Sequence, residues 1–287
     1  MSPIIKKLLK IVVTIAVIMI GFNFNWALGV VMIVLVLGYF GYTSRSVLYA
    51  QKGNLAYMKG DRDRALILLE KAYRLKSALP QHQLGYGYVL MKAGELSKAE
   101  KVFDEVLHKA KARDMHMQAK LNLATVYWLQ GRRDEAYSYL QEMSEEYKNT
   151  LVYGNFGYFQ ILRGELEAAL VYNREAYAFN DNDLTIMDNL AQNYYLLGQL
   201  NEADEMYAKV IAKTPKHAES YYYYALTLEQ LGRLQEAREQ IGKALEKELA
   251  LITPLTREDI ELLAISLGKK SDFNPTADGS GPFVKDT

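Results

Sequence analysis

The chain has 287 residues, with 34 Lys+Arg balanced by 34 Asp+Glu, so its formal net charge is zero. A neutral chain has no basic field to attract nucleic acid, which argues against nucleic-acid binding. Hydrophobic residues make up 50% and charged residues 24%, which is enough apolar material for a folded core. The chain has no cysteine, which excludes disulfides, thiolate metal sites and cysteine nucleophiles.

The N-terminal part contains an uncharged apolar run from Ile11 to Tyr42, interrupted by Asn23 and Asn25. A single helix over this run would be about half again longer than the ~30 Å hydrocarbon core, because a helix rises ~1.5 Å per residue. The asparagines, followed by Trp26, favour a turn at the membrane interface. Residues 1–42 are therefore predicted to form a transmembrane helical hairpin.

Basic residues flank this hairpin and are absent from its turn. They are Lys6, Lys7 and Lys10 before it and Arg45 and Lys52 after it. By the positive-inside rule, we expect a cell-membrane protein with two spans, roughly Ile4–Phe22 and Trp26–Tyr42, and the rest of the chain in the cytoplasm. Two alternatives stay open: a cleaved signal peptide, although no small-x-small site follows the first apolar stretch, and a single tilted span.

Residues 46–251 repeat with a period of about 34 residues. Glycines recur at Gly60, Gly94, Gly131, Gly164, Gly198 and Gly232, with alanines five residues later at Ala65, Ala99, Ala136, Ala169, Ala203 and Ala237. Small residues stand seven positions before the glycines, at Gly53, Gly87, Ala124, Gly157, Ala191 and Ala225. Apolar residues follow helical spacing, so each unit is predicted to be two closely crossing helices, the first ended by a left-handed glycine.

The pattern resembles the tetratricopeptide repeat. In the fifth unit the resemblance is carried by Leu190, Ala191, Tyr194, Gly198, Ala203, Tyr207 and Pro215. It implies an all-α protein in which six repeats over residues 46–251 stack into a solenoid, a right-handed superhelix. Three extra residues in the second unit, within 109–115, are expected to lengthen its second helix or the turn that follows.

One more helix is expected over residues 252–270, where it would cap the open end of the stack. Thr256 and Asp259 have the spacing of a helix N-cap, and Gly268 is expected to end the helix. Residues 271–287 are rich in Gly, Pro, Asp, Ser and Thr and are expected to be disordered.

No spacing typical of a nucleophile, a phosphate-binding loop or a metal site holds up, so we expect no enzyme activity, no cofactor, no metal and no small-molecule substrate. His108 and His116 have no carboxylate partner at ligand spacing and are expected at the surface.

The resemblance also implies a concave groove lined by the first helix of each repeat. The expected partner-binding positions are Asn54, Tyr57, Tyr88, Leu121, Trp128, Tyr158, Gln192, Tyr195 and Tyr222, with Leu84, Ile161 and Leu226 beside them. This mainly aromatic set suits an apolar or aromatic peptide or helix. The alternative is that the rings only fill gaps between helices. The family's carboxylate clamp for chaperone C-termini keeps Asn54 alone, so that partner is not expected.

These features predict a membrane-anchored scaffold or adaptor of bacterial type, whose partners are the lipid bilayer and a protein or peptide bound in the aromatic groove. The alternative function is a sensor of signalling peptides built from the same repeats. Such sensors carry an output domain such as a helix-turn-helix, and the sequence shows none.

Overall fold

A computed structural model describes residues 3–272, without the side chains of residues 3, 4, 6, 7, 10 and 270–272. Over this range the chain forms fourteen α-helices and no named strand. The helices are α1 (Pro3–Phe24), α2 (Trp26–Met58), α3 (Arg62–Tyr73), α4 (Pro80–Lys92), α5 (Leu96–Lys109), α6 (Arg113–Leu129), α7 (Arg133–Glu146), α8 (Thr150–Leu162), α9 (Leu166–Phe179), α10 (Leu184–Leu196), α11 (Leu200–Ala212), α12 (Ala218–Gln230), α13 (Leu234–Leu245) and α14 (Arg257–Asp272).

The chain divides into two compact units, residues 1–123 and 124–287, and α6 runs across the division. In the first unit, α2 packs against α1 and α3, and α4 packs against α3 and α5. In the second unit, each helix from α8 to α13 packs against the next along the chain, and α14 packs against α13. Each unit is therefore a stack of helical hairpins, as the repeat pattern predicts.

The first hairpin, α1 with α2, turns at Asn25. The Asn25 side chain caps α2 by accepting a hydrogen bond from the Ala27 backbone N–H at 2.9 Å. Gly21 and Gly29 lie where the two helices approach most closely: a Cβ at Gly21 would stand 3.2 Å from the Gly29 Cα, and one at Gly29 would overlap the Phe22 ring. The asparagine cap and the glycine pair together explain why the chain reverses at this point.

The predicted end of the second apolar helix at Tyr42 is wrong, because α2 continues without a break to Met58 and includes the first helix of the first repeat. No glycine or proline lies between residues 42 and 52, so nothing local interrupts the helix. Ser46, 1% exposed, donates to the Ser77 carbonyl oxygen at 3.0 Å, which ties this part of α2 to the repeats.

Among the described residues, α2 is the one helix that is long and apolar enough to cross a membrane. The apolar part of α1 covers Ile11–Phe24 and is shorter than a usual span. The expectation of two spans is therefore not confirmed, whereas the helical hairpin itself is present.

The repeat glycines adopt the conformation that the sequence predicts. All six have positive φ, between 73° and 81°. In the fifth repeat the Gly198 N–H donates to the Tyr195 carbonyl and the Gln199 N–H to the Tyr194 carbonyl, each at 2.9 Å, a hydrogen-bond pattern that closes a helix on a left-handed residue. The alanine five residues after each glycine is 0% exposed.

The three extra residues near position 112 lie elsewhere than predicted. They do not lengthen the second helix of the second repeat, since α5 has 14 residues like α7 and α9. They do not lengthen the following turn either, because residues 110–112 between α5 and α6 are as few as residues 147–149 between α7 and α8. Instead α6 begins early, at Arg113, and reaches 17 residues, whereas the corresponding helices α8, α10 and α12 have 13.

The helix expected after the repeats is α14. Thr256 and Asp259 cap it reciprocally: the Asp259 carboxylate accepts from the Thr256 N–H at 2.8 Å, and the Thr256 hydroxyl accepts from the Asp259 N–H at 3.1 Å. Gly268 does not end the helix, which continues to Asp272, because a glycine within a helix costs only ~1 kcal/mol when no reversal is imposed. The tail from residue 273 onward lies outside the described residues.

The crossing of α10 and α11 provides a test of the repeat register. Ala203 is 0% exposed, so Ala203→Leu should overpack the crossing and lower the free energy of unfolding by ~1–3 kcal/mol. Ala208 lies on the same helix in an exposed position, so Ala208→Leu is the matched control and should change stability by less than ~0.5 kcal/mol. Chemical unfolding followed by circular dichroism measures both, and equal losses would show that the register is wrong.

Candidate partner-binding groove

The predicted groove positions of the first unit lie on α2, on α4 and, for Leu121, on α6, and α2 contacts α4. Tyr57 and Tyr88 pack edge to face with ring centroids 6.1 Å apart, and Tyr88 remains 40% exposed. Asn54 is exposed beside them, whereas Leu84 and Leu121 are buried, Leu121 to 8% exposure. The exposed part of the predicted groove in this unit is therefore the tyrosine pair with Asn54, whereas the side chains of Leu84 and Leu121 are covered.

In the second unit, Trp128 is packed on one side and partly exposed on the other. Its ring lies edge to face with Phe159 at 5.0 Å, and the Arg133 guanidinium stands 5.2 Å from its centroid. Phe159 is 1% exposed, so one side of the tryptophan belongs to the core. Trp128 itself is only partly buried.

Three tyrosines form a cluster on α10 and α12. Tyr223 lies 5.8 Å from Tyr195 and 5.4 Å from Tyr222, measured between ring centroids. Tyr195 and Tyr222 are partly buried, and the Gln230 amide donates to the Tyr195 hydroxyl at 3.3 Å. These side chains form a continuous aromatic surface.

The four consecutive tyrosines of α12 distribute as helix geometry predicts. Tyr221 and Tyr224 are buried, at 3% and 7% exposure, whereas Tyr222 and Tyr223 face a different side and are only partly buried.

The segment 246–256, between α13 and α14, folds back onto the first helices of the second unit. The Ala250 N–H donates to the Glu219 carboxylate at 2.9 Å, and the Tyr158 hydroxyl donates to the Ile252 carbonyl at 3.0 Å. Glu248 also bridges to the start of α12. Part of the predicted groove face in this unit is thus occupied by the chain's own backbone, a contact that has no local sequence signal.

A chamber of about 560 Å³ lies between this segment and helices α8, α10 and α12. Its lining includes Tyr158, Gln192, Asp188, Glu219 and Ile252. Tyr158 and Gln192, two of the predicted groove positions, therefore line the same cavity. Gln192 is 6% exposed, so it contributes a wall of the chamber rather than an open surface.

The acidic side chains of the chamber are in an unusual environment. The pKa of the Asp188 carboxyl is raised to about 7, mainly because the group is buried; a hydrogen bond from Ser220 acts in the opposite direction, and the charge of Glu219 adds to the increase. Burial, together with the charges of Glu219 and Asp188, also raises the pKa of the Tyr158 hydroxyl above its usual value. Protonation of Asp188 is thus poised near neutral pH.

Asp188 and Glu219 were missed as groove residues, although the register could have found Asp188. It stands three residues before the small residue Ala191, as Leu121 stands before Ala124. Glu219 becomes part of the chamber through the segment 246–256, whose path has no local sequence signal.

Among the described residues, no group of three or more His, Cys, Asp or Glu side chains could hold a metal ion. His108 is exposed and bonds through Nδ1 to the Asp104 carbonyl at 2.7 Å. His116, expected at the surface, is partly buried and bonds the Ala110 carbonyl.

Comparison with known proteins decides the family. Three family models described as tetratricopeptide repeat match the chain, at residues 51–114 and 87–148, at 184–214 and at 206–239. The chain is a tetratricopeptide repeat protein. The matches together cover more than half of its length, and they fall on the segments that carry the glycine and alanine pattern.

A TPR repeat-containing protein of Methanocaldococcus jannaschii is 27% identical over 202 residues, which cover 68% of this chain but only 30% of that relative. A tetratricopeptide repeat protein from Parabacteroides merdae aligns with a TM-score of 0.55 at 16% identity, over 80% of this chain and 88% of that one. The pilF protein of Pseudomonas aeruginosa aligns with a TM-score of 0.57 at 17% identity, over 80% and 99%. The two solved structures share the fold.

The acidic chamber generates a prediction about pH. Because the pKa of Asp188 is raised from 3.8 to about 7 in the folded protein, the free energy of unfolding should fall as pH rises between these values. Asp188→Asn removes this loss while keeping an acceptor for Ser220. The variant should therefore become progressively more stable than the parent, by up to ~4 kcal/mol above neutral pH.

Urea unfolding of the detergent-solubilised chain, followed by circular dichroism from pH 4 to pH 8, measures the difference between Asp188→Asn and the parent. A difference that is the same at every pH would contradict the raised pKa.

Proposed function

We propose that this tetratricopeptide repeat protein is a membrane-anchored scaffold that holds a protein or peptide partner in its concave aromatic groove. Tetratricopeptide repeats generally serve as interaction scaffolds rather than enzymes, and the proposed role needs no catalysis. The observation that carries the proposal is the combination, in one chain, of an exposed apolar hairpin and partly exposed rings on the first helices of the repeats.

The hairpin supports the anchor. Large apolar side chains along α1 and the first half of α2 are exposed, among them Phe24 at 79%, Trp26 at 74% and Leu37 at 64%. An apolar surface of this extent is unstable in water and is satisfied by a bilayer, where helices also pair their backbone groups internally. The length and apolar character of α2 fit one span, and α1 packs along it through Gly21 and Gly29.

The groove rings support the binding role. Tyr88, Trp128, Tyr195 and Tyr222 each keep part of the ring exposed while the remainder is held by neighbouring rings. Aromatic anchors of this kind bury large area on binding and lose little conformational entropy, because their orientation is already set. We include Leu121 and Gln192 as supporting residues, since their own surface is almost fully covered.

The anchor is tested by extraction. The intact chain should stay with the membrane in alkaline carbonate, because α1 and α2 expose apolar surface that only lipid can cover, whereas a chain lacking residues 1–43 should be released. Intact chain in the supernatant would exclude the anchor. A shortened N-terminus in mature protein would show that the apolar run is a cleaved signal sequence.

The number of spans follows from single cysteines, since the chain has none of its own. With two spans and cytoplasmic repeats, Phe24→Cys at the hairpin turn should react in intact cells with an impermeant thiol reagent, and Glu205→Cys on the exposed face of α11 should not. The reverse pattern would show a single span with exported repeats.

The groove is tested by affinity measured beside melting temperature, using a partner captured by proximity labelling. Tyr195→Ala and Tyr222→Ala should each weaken binding by ~1–3 kcal/mol, because their exposed edges become buried in the complex. Trp128→Ala should weaken binding and also lower the melting temperature, since it removes the contact with Phe159. Glu205→Ala, in an exposed position on α11, is the control and should change neither. Unchanged affinity in both tyrosine variants would show that the rings are packing alone.

A further inference from the structure

The chamber of the second unit contains two carboxyl oxygens that the fold leaves without a hydrogen bond. Asp188 Oδ1 and Glu219 Oε2 are buried and have no partner among the described residues. Glu219 is 8% exposed as a whole side chain, and its other oxygen accepts from the Ala250 N–H. Both side chains line the same cavity of about 560 Å³.

Leaving these two buried carboxyl oxygens unpaired raises the free energy of the folded protein. A buried carboxyl oxygen without a donor loses its hydration and regains nothing, and two acidic groups in one cavity disfavour each other's ionised form. Burial and Glu219 have this effect on Asp188, whose pKa they raise to about 7. A ligand that donates hydrogen bonds and carries positive charge would satisfy both oxygens and reverse the electrostatic penalty.

The lysines of the chamber do not fill this role. Lys213 donates to the Asn182 side chain at 2.5 Å instead, and Lys216 is exposed to solvent. His217 also lines the chamber and is exposed to solvent. Neither unpaired carboxyl oxygen has a donor among the described residues, so a fitting donor is one that a ligand brings.

We propose that this chamber binds the ammonium or guanidinium group of a lysine or arginine side chain belonging to the partner polypeptide. The proposal rests on the proposed scaffold function and specifies the chemistry of the partner. Asp188 and Glu219 provide the acceptors, while the Tyr158 ring and the Ile252 side chain line the chamber for the aliphatic stem. The neighbouring cluster of Tyr195 and Tyr222 would then contact apolar residues on either side of the basic one.

The same observations argue against a divalent metal ion as the ligand. Calcium takes six to eight oxygen ligands and magnesium about six. His217 lines the same cavity, but among the described residues no group of three or more His, Cys, Asp or Glu side chains could hold a metal ion. An organic cation needs only the acceptors that are present, since a single ammonium has three donors and a guanidinium five.

The first experiment uses the full-length protein in detergent and a fluorescein-labelled, acetylated pentapeptide of tyrosine, glycine, lysine, glycine and tyrosine. Analogues replace the lysine by arginine, by uncharged norleucine or by glutamate. By fluorescence anisotropy, the lysine and arginine peptides should bind at least about tenfold more tightly than the norleucine peptide. Equal affinity for norleucine, a preference for glutamate, or no binding of any peptide would overturn the proposal.

Two variants remove charge but keep hydrogen-bond acceptors. Glu219→Gln can still accept from the Ala250 N–H, and Asp188→Asn can still accept from Ser220. Each should reduce the preference for lysine over norleucine to about twofold or less, whereas Glu205→Gln, exposed on α11, should leave it unchanged. Circular dichroism of each variant checks that the helices are intact. A preference that survives in both chamber variants would overturn the assignment of these residues.

Two further probes separate the sources of the cation. Butylammonium chloride should compete with the lysine peptide only weakly, because it lacks the flanking tyrosines. If butylammonium binds and the peptides do not, the chamber takes a free amine and the partner assignment is wrong. If calcium chloride displaces the lysine peptide, the site is a metal site.

The captured partner distinguishes this inference from the function on which it rests. If Tyr195→Ala weakens the partner but Asp188→Asn and Glu219→Gln do not, the chamber proposal fails and the scaffold stands. If none of the three variants changes the affinity, the groove function fails as well.

Discussion

The close crossing of two helices within each repeat is the constraint on which the rest of the structure depends. A helix pair can approach this closely only where side chains are small: a Cβ at Gly87 would stand 2.6 Å from the Phe103 ring, and one at Gly157 would overlap the Asn173 side chain. On the facing helix, Ala203 is 0% exposed against its partner. The left-handed glycine between the helices, with φ of 73° at Gly198, supplies the turn that makes the crossing possible.

The same crossing leaves one side of each first helix for the proposed groove. Because the second helix of each pair covers one side of the first, the opposite side of α8, α10 and α12 remains available, and these helices lie next to one another. Side chains at equivalent register positions then converge, which is why Tyr158 and Gln192 line one chamber although they come from different repeats. In the second unit this side therefore carries both an aromatic surface, formed by the tyrosine cluster, and an acidic chamber, formed around Asp188 and Glu219.

Much of this arrangement could be predicted from the sequence, because its causes are local or periodic. The glycine conformation, the buried alanines and the separation of Tyr222 from Tyr221 each follow from a spacing of a few residues. The features that could not be predicted depend on contacts between residues far apart in the sequence, or have no local sequence pattern that marks them. The path of residues 246–256 is held by Tyr158, far away in the chain, and its closure over Glu219 is what creates the chamber. The continuity of α2 beyond Tyr42 could not be predicted from composition, because the change from apolar to polar residues there is not accompanied by a break in the helix.

Because α2 is continuous, the first repeat has a fixed rotational orientation relative to the apolar hairpin. A helix turns ~100° and rises ~1.5 Å with each residue. Adding or removing one residue between Tyr42 and Ser46 would therefore rotate the repeat by ~100° about the axis of α2 and shift it by ~1.5 Å along that axis. A flexible linker could change in length without changing the orientation of the repeat, whereas a change in the length of this continuous helix changes that orientation. In an anchored protein, the stretch would therefore set the direction in which Tyr57 and its neighbours face along the bilayer.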